Sequence, residues 1–290
     1  FYLETSIFNL EKNIENEEHL FITGMPRAGT TTLLNFFFET DQFASLTYND
    51  MPFVLSPNLF GILPKKKIES KERSHKDGIV FDNYSPECFD EVFFLTFNKE
   101  EILQNISKYI SLVLKKYSKN RYLSKNNNNY RRIGILTKKF PNSKILIMSR
   151  DPLKHSQSRL KSHKNFCNIQ KNDNFIEDYM SYLGHFEFGL NYKPRNKPIK
   201  FNNHFSIDHW LEQWCLFYEN LITREINRNV IFVSYDDLCK DKDILQKLCK
   251  INKLDKEYNF DYFNFKTEEK KEVYSKEIYK DCYNIFDKLN

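Results

Sequence analysis

Phe21–Thr32 reads FITGMPRAGTTT: an apolar run, Gly24, four residues, Gly29 and then three threonines. A strand that enters GxxxxG and leaves as a helix turns several backbone N–H groups and the positive helix end toward one anion. A nucleotide-hydrolysing loop places Lys after the second glycine and uses the next hydroxyl to hold Mg²⁺. Here Thr30 stands at the Lys position and Arg27 lies inside the turn. No DxxG or hhhhD strand end follows to hold a metal, so none is expected. Arginine offers a permanently charged, planar fork that matches two phosphate oxygens. The stretch therefore predicts a metal-free anion loop at the end of a buried strand.

Two further β-rich runs, Ile145–Ser149 (ILIMS) and Val230–Ser234 (VIFVS), read with Leu20–Gly24 as buried strands of a parallel sheet. A fourth strand is expected at Arg121–Ser124. Apolar residues at helical spacing predict helices over Thr30–Glu39, Lys99–Tyr117, Pro152–His163 and Ile207–Ile226. The alternation implies an α/β fold: a P-loop-like parallel β-sheet flanked by helices on both faces. No repeat and no Gly/Ser- or Pro-rich linker divides the chain, so residues 1–290 are expected to form one domain. Residues 164–203 are polar, aromatic and poorly periodic, and read as an insertion or an acceptor-side lid.

The chain is 290 residues long, 40% hydrophobic and 16% aromatic, enough for a sizeable core. Its net charge of +5 is spread over 44 basic and 39 acidic residues, which argues for a local anionic ligand and against nucleic acid. No apolar run approaches the roughly 18 residues of a membrane span, so no transmembrane segment is expected. The N-terminal FYLETSIFNLEKN lacks a basic and then apolar leader pattern. Cysteines 88, 167, 215, 239, 249 and 282 show no metal-ligand or disulfide spacing, which fits a reducing cytoplasm. The run Asn126–Asn129 reads as compositional bias.

A second motif gives the anion loop a partner. Lys144–His163 is KILIMSRDPLKHSQSRLKSH, a strand that delivers Arg150, then a turn, then a helix with Ser158 eight residues after the Arg. Ligands of open α/β sheets bind at the carboxyl ends of the strands, so Arg150 and the first loop can face one crevice. Pro152 suits the first turn of the helix. Arg159 and Lys161 read as solvated helix residues.

GMPRAGTTTLL resembles the 5′-phosphosulfate loop of the sulfotransferases that use 3′-phosphoadenosine-5′-phosphosulfate (PAPS), in a bacterial-type PRxGTT form with Ala28 where Ser is usual. RDP followed by Ser158 resembles the 3′-phosphate element of the same family. RYLSKNNNNYRR resembles its strand ending in Lys, here Lys125, although Asn126–Asn129 replace the usual Pro and His, so no histidine base carries over. VIFVSYDDL resembles the segment whose Tyr, here Tyr235, packs near the adenine, and Ser275 with Lys276 resembles a piece that closes over the 3′-phosphate. The matches run in order from about residue 20 to 280. The resemblance implies that Arg27, Ala28, Gly29, Thr30, Thr31 and Thr32 hold the phosphosulfate, and that Arg150 and Ser158 hold the 3′-phosphate. It implies that Arg27 and Lys125 stabilise the leaving phosphate as the sulfuryl group passes to a hydroxyl of a carbohydrate or polar metabolite, releasing adenosine 3′,5′-bisphosphate (PAP).

The acceptor hydroxyl needs a base. A protein-tyrosine branch of the family has Glu some 20 residues after the loop Arg; here Asp50, in SLTYNDMPF, lies 23 residues beyond Arg27. Asp50 is the first choice, and an Asx turn or helix cap is its other reading. His75, in RSHKDGIVFD, is the second. Glu87 and Glu91 lie four apart and read as a solvated helix face. Two other functions stay open: a P-loop kinase or NTPase, which needs a loop Lys, and a nucleotide-binding module without catalysis. The oligomeric state is not legible.

Overall fold

The computed structural model describes residues 1–8, 10, 13–61, 70–72, 80–182, 184–224, 227–254, 256, 258, 263 and 273–289. Its strands are β1 (Leu20–Gly24), β2 (Lys71–Glu72), β3 (Val80–Phe81), β4 (Leu123–Lys125), β5 (Lys144–Ser149) and β6 (Val230–Ser234). The helices are α1 (Tyr2–Ile7), α2 (Thr30–Glu39), α3 (Glu91–Thr96), α4 (Lys99–Tyr117), α5 (Ile133–Lys139), α6 (Pro152–Asn172), α7 (Asn174–Tyr182), α8 (Ile207–Ile222), α9 (Tyr235–Lys240), α10 (Lys242–Ile251) and α11 (Lys276–Leu289). Among the described residues no helix is long and apolar enough to cross a membrane.

Four strands form one parallel sheet in the order β4-β1-β5-β6, and β2 pairs antiparallel with β3 outside it. Every residue of β1 is buried, as expected of a strand covered on both sides. Side chains alternate between two cores: Phe21, Ile145 and Ile147 face a cluster with α4, α8 and α11, while Leu20, Ile22, Leu146 and Met148 face one with α2 and α10. The sheet is thus flanked by helices on both faces. The parallel arrangement sends Gly24, Lys125, Arg150 and Tyr235 to one edge, at or just past the carboxyl ends of β1, β4, β5 and β6.

Local chemistry sets the main helices. Asn98 caps α4 through the N–H groups of Glu100 and Glu101, while Glu101 returns a bond to the Asn98 N–H; such a cap is worth about 1 kcal/mol. Lys115 and Lys116 lie in its last turn, where cations complement the dipole. Asp151 caps α6 at the Lys154 N–H, and Pro152 opens it. The expected end of α6 at His163 falls short: the helix runs on to Asn172 and α7 follows, so the first half of 164–203 is helical. Buried Phe166, Cys167 and Gln170 continue the inward face, a signal diluted by Lys, Asn and Gln on the other faces. Helix α8 ends four residues earlier than expected, at Ile222.

Candidate active site

The loop after β1 fits its turn through two glycines and one strained arginine. A Cβ on Gly24 would lie 2.8 Å from the Met148 carbonyl, so β1 and β5 meet there only because the side chain is absent. Gly29 has φ +90°, and its Cβ would lie 2.3 Å from Cδ2 of Tyr235, so the Tyr235 ring packs directly on the loop. Arg27 takes a left-handed φ of 78°, which is uncommon and unfavourable for a non-glycine residue. Such strain persists only where the surroundings hold it. Helix α6 does so here: the His155 Nε2–H donates to the Pro26 carbonyl at 2.9 Å, and the Arg27 Nε–H donates to Ser158 Oγ at 3.3 Å. Burial, with the charge of Arg159 beside it, keeps the His155 ring neutral by pulling its pKa well below the usual value.

Arg150 closes this arrangement. Its NH1 donates to the Arg27 carbonyl at 3.3 Å, and its guanidinium lies 5.0 Å from the centre of the Tyr235 ring. The residue is 8% exposed, and its Nε–H has no hydrogen-bond partner among the described residues. Burial raises the Tyr235 hydroxyl to about 12, so the ring stays a neutral phenol. Arg27, Gly29, Arg150, Ser158 and Tyr235 are therefore brought together. Arg159, the next residue on α6, is not solvated as expected: it is 1% exposed, stacks 4.6 Å from the Trp210 ring and has its NH1 3.8 Å from Met25 Sδ. Burial lowers its pKa to about 10, which leaves it charged.

Next to the loop, and joined to it through Thr30 and Asn127, is a set of side-chain pairs between residues 87–91 and 124–132. Lys125 is 8% exposed, and its Nζ donates to Glu87 Oε1 at 2.8 Å. Asp90 accepts from Ser124 Oγ at 2.5 Å and from Asn126 Nδ2 at 3.1 Å. Burial raises its carboxyl pKa. Glu91 takes both NH groups of Arg132 at 2.8 and 2.9 Å, with Asn126 and Asn128 adding a bond each. Burial alone would raise the Glu91 carboxyl, but Arg132 outweighs it and the net shift is down.

Two expectations are corrected here. Glu87 and Glu91 are not a solvated face; their side chains are 20% and 12% exposed. Nor is Asn126–Asn129 incidental composition. Asn126 N donates to the Ile22 carbonyl, Asn129 Nδ2 to Ser124 Oγ, and Thr30 Oγ1 bonds Asn127 Oδ1 at 3.4 Å, tying this turn to β1 and the loop after it. The signal that could have found this was the coincidence of three acids in 87–91 with amides and Arg132 in 126–132.

Asp50 is 1% exposed and forms a capping box with Thr47: the Thr47 N–H donates to its Oδ2 at 2.7 Å. Lys116 Nζ pairs with its Oδ1, and the Tyr117 hydroxyl donates to Oδ2 at 2.5 Å. This is the cap that was the other reading of Asp50: Oδ2 accepts from Thr47 and Tyr117 and Oδ1 pairs with Lys116. His75 lies outside the described residues. Ser275 donates its N–H to Asp208 Oδ1 at 2.8 Å, and Lys276 is an exposed residue that opens α11. It is Tyr283, about 10 Å further along that axis, whose hydroxyl reaches Asp151 Oδ2 at 2.5 Å. Ser275 and Lys276 are thus not joined to Arg150.

The fold is thus a parallel α/β sheet with a glycine-bounded loop after its first strand and a buried arginine just past the end of a neighbouring strand. Residues 19–192 match the sequence model of the sulfotransferase family, and the chain belongs to that family. Solved structures with a similar outline include a sulfotransferase from Mycobacterium avium (12% identity, 99% of this chain and 70% of that one, TM-score 0.41) and one from Alicyclobacillus acidocaldarius (13%, 94% and 92%, TM-score 0.42). A third is the sulfotransferase domain of the curacin biosynthetic pathway (15%, 86% and 80%, TM-score 0.40). No curated protein sequence matches the chain.

Proposed function

We propose that this protein transfers the sulfuryl group of PAPS to a hydroxyl of a carbohydrate or similar polar metabolite and releases PAP. The observation that carries the reading is Arg150: a guanidinium 8% exposed, with an Nε–H lacking any partner among the described residues, beside the loop that carries Arg27. Burying a charged donor without a partner is costly, and an incoming phosphate relieves that cost. ATP has no 3′-phosphate to meet it. In this reading Arg27, the N–H groups of Ala28–Thr32 and the threonine hydroxyls hold the phosphosulfate, while Arg150 and Ser158 hold the 3′-phosphate. Tyr235 borders both ends of the nucleotide.

Sulfuryl transfer resembles phosphoryl transfer in needing an in-line nucleophile and stabilisation of charge on the leaving group. Lys125 and Arg27 are the cations for that charge, and Glu87 fixes the Lys125 ammonium by their 2.8 Å ion pair. Residues 1–290 act as one unit in this proposal, with 164–203 on the acceptor side, in a reducing cytoplasm that suits six cysteines without paired spacing. Titration calorimetry with PAP, and with ATP plus Mg²⁺, tests the donor: the expected result is micromolar or tighter PAP binding and at least 100-fold weaker ATP. Equal affinity for both would sink the proposal.

A further inference from the structure

The segment between α7 and α8 carries a histidine–carboxylate pair and is tied to the asparagine turn by Arg195. Its backbone is pinned on both sides. The His185 N–H donates to the Met180 carbonyl at 2.8 Å, the Lys193 N–H to the Phe186 carbonyl at 2.8 Å, and the Leu190 N–H to Gln170 Oε1 at 2.6 Å. Phe188, 1% exposed, anchors the middle in the core. Arg195 then staples the segment to the asparagine turn, its NH1 donating to Asn128 Oδ1 at 3.0 Å and to the Asn127 carbonyl at 3.4 Å. Asn127 is the residue that Thr30 of the loop bonds.

Within this frame His185 Nδ1 lies 3.2 Å from Glu187 Oε1. The carboxylate fixes Nδ1 as the N–H donor, which leaves Nε2 as the basic nitrogen. Nε2 has no hydrogen-bond partner among the described residues, and the side chain is 40% exposed against 19% for Glu187. Glu187 and Glu87 act on the ring as negative charges and Lys125 as a positive one. Glu87 Oε1 already accepts from Lys125 and from the Cys88 N–H at 2.9 Å.

Resting on the PAPS reading above, we infer that His185, oriented by Glu187, is the general base that takes the proton from the acceptor hydroxyl. In that step the acceptor oxygen bonds to sulfur, its proton goes to Nε2, and the sulfur–oxygen bond to the 5′-phosphate breaks with its electron pair leaving on PAP. The resemblance to the family supplied no histidine at the Asn126–Asn129 turn; this one comes from residues 164–203, the segment that Arg195 ties to that turn.

The sign of the pH dependence follows from the surroundings. Burial would lower the ring's pKa, but Glu187 and then Glu87 outweigh both burial and Lys125, and the net shift is upward. A base with a raised pKa is protonated at low pH and gains activity as pH climbs through that value. Replacing Glu187 by Gln removes the main raising charge and moves the limb to lower pH.

Three measurements on the full chain test this. PAP calorimetry on wild type and His185→Asn should give equal affinities, because the ring takes no part in holding the donor; failure of wild type to bind PAP would sink the donor reading alone. NMR titration of the histidine rings, with the His185→Asn spectrum identifying the signal, should show a midpoint above the usual 6.5 that drops in Glu187→Gln. A midpoint at or below 6.5, unmoved by that change, overturns the pair whatever the donor. Release of PAP from PAPS with water as acceptor, followed against pH, should fall about 100-fold in His185→Asn and lose its rising limb. Unchanged release and an unchanged limb, or no release by wild type above the uncatalysed rate, overturns the base.

Discussion

The two sides of the candidate site are made in different ways. The loop side consists of strand ends and a turn: Gly24, Arg27, Gly29 and Arg150 lie within a few residues of β1 or β5, parallel pairing brings the strand ends together, and α6 holds Arg27 in place. The other side consists of side-chain pairs among three segments far apart in sequence, Glu87–Lys125, Glu91–Arg132, Arg195–Asn128 and His185–Glu187. In the proposed function the backbone cradle meets the group common to every donor molecule, whereas the side-chain pairs could be exchanged to suit different acceptors without disturbing the sheet.

The sharpest way to break this contrast is Lys125→Ala, which should lower turnover about 100- to 1000-fold while PAP affinity in calorimetry changes less than tenfold. A matching collapse of PAP binding would make Lys125 part of the donor cradle. Glu91→Ala comes next: it leaves Arg132, Asn126 and Asn128 without their common acceptor. Loss of one member of a largely buried pair should cost about 3 kcal/mol in denaturant unfolding, with PAP affinity at the folded baseline kept. Asp50→Asn should cost about 2 kcal/mol of stability through the weakened Thr47, Lys116 and Tyr117 contacts, with turnover within twofold of wild type. A large loss of turnover at full PAP binding would restore Asp50 as the base.

The smallest effect expected is on Gly29→Ala, where the left-handed backbone adds about 1 to 2 kcal/mol and the new Cβ pushes Tyr235 aside. Thermal unfolding together with PAP titration should show a modest loss of stability and weaker binding. An unchanged Kd would separate Tyr235 from the donor site.

The same contrast explains what could be read from residues alone. The expected sheet and the helices Thr30–Glu39 and Lys99–Tyr117 agree with the structure because apolar periodicity and caps are local. Arg27, Arg150 and Ser158 were legible as one group because strand ends of a parallel sheet share an edge. Glu87, Glu91 and the asparagine turn were not, since neither segment shows its partner within its own sequence. Arg159 looked solvated because a guanidinium inside a core is rare, and only Trp210, over 50 residues away, reveals why it is tolerated there. The capping contacts of Asp50 were hidden for a related reason: its spacing from Arg27 suited a base, while Lys116 and Tyr117 come from the far end of α4.

The central claim is that Arg150 waits for a 3′-phosphate, and calorimetry of wild type and Arg150→Ala with PAP and with adenosine 5′-phosphosulfate tests it most directly. The account predicts that the substitution weakens PAP about 100-fold, the loss of charged hydrogen bonds, and weakens adenosine 5′-phosphosulfate less than threefold. Equal losses for the two ligands would contradict it.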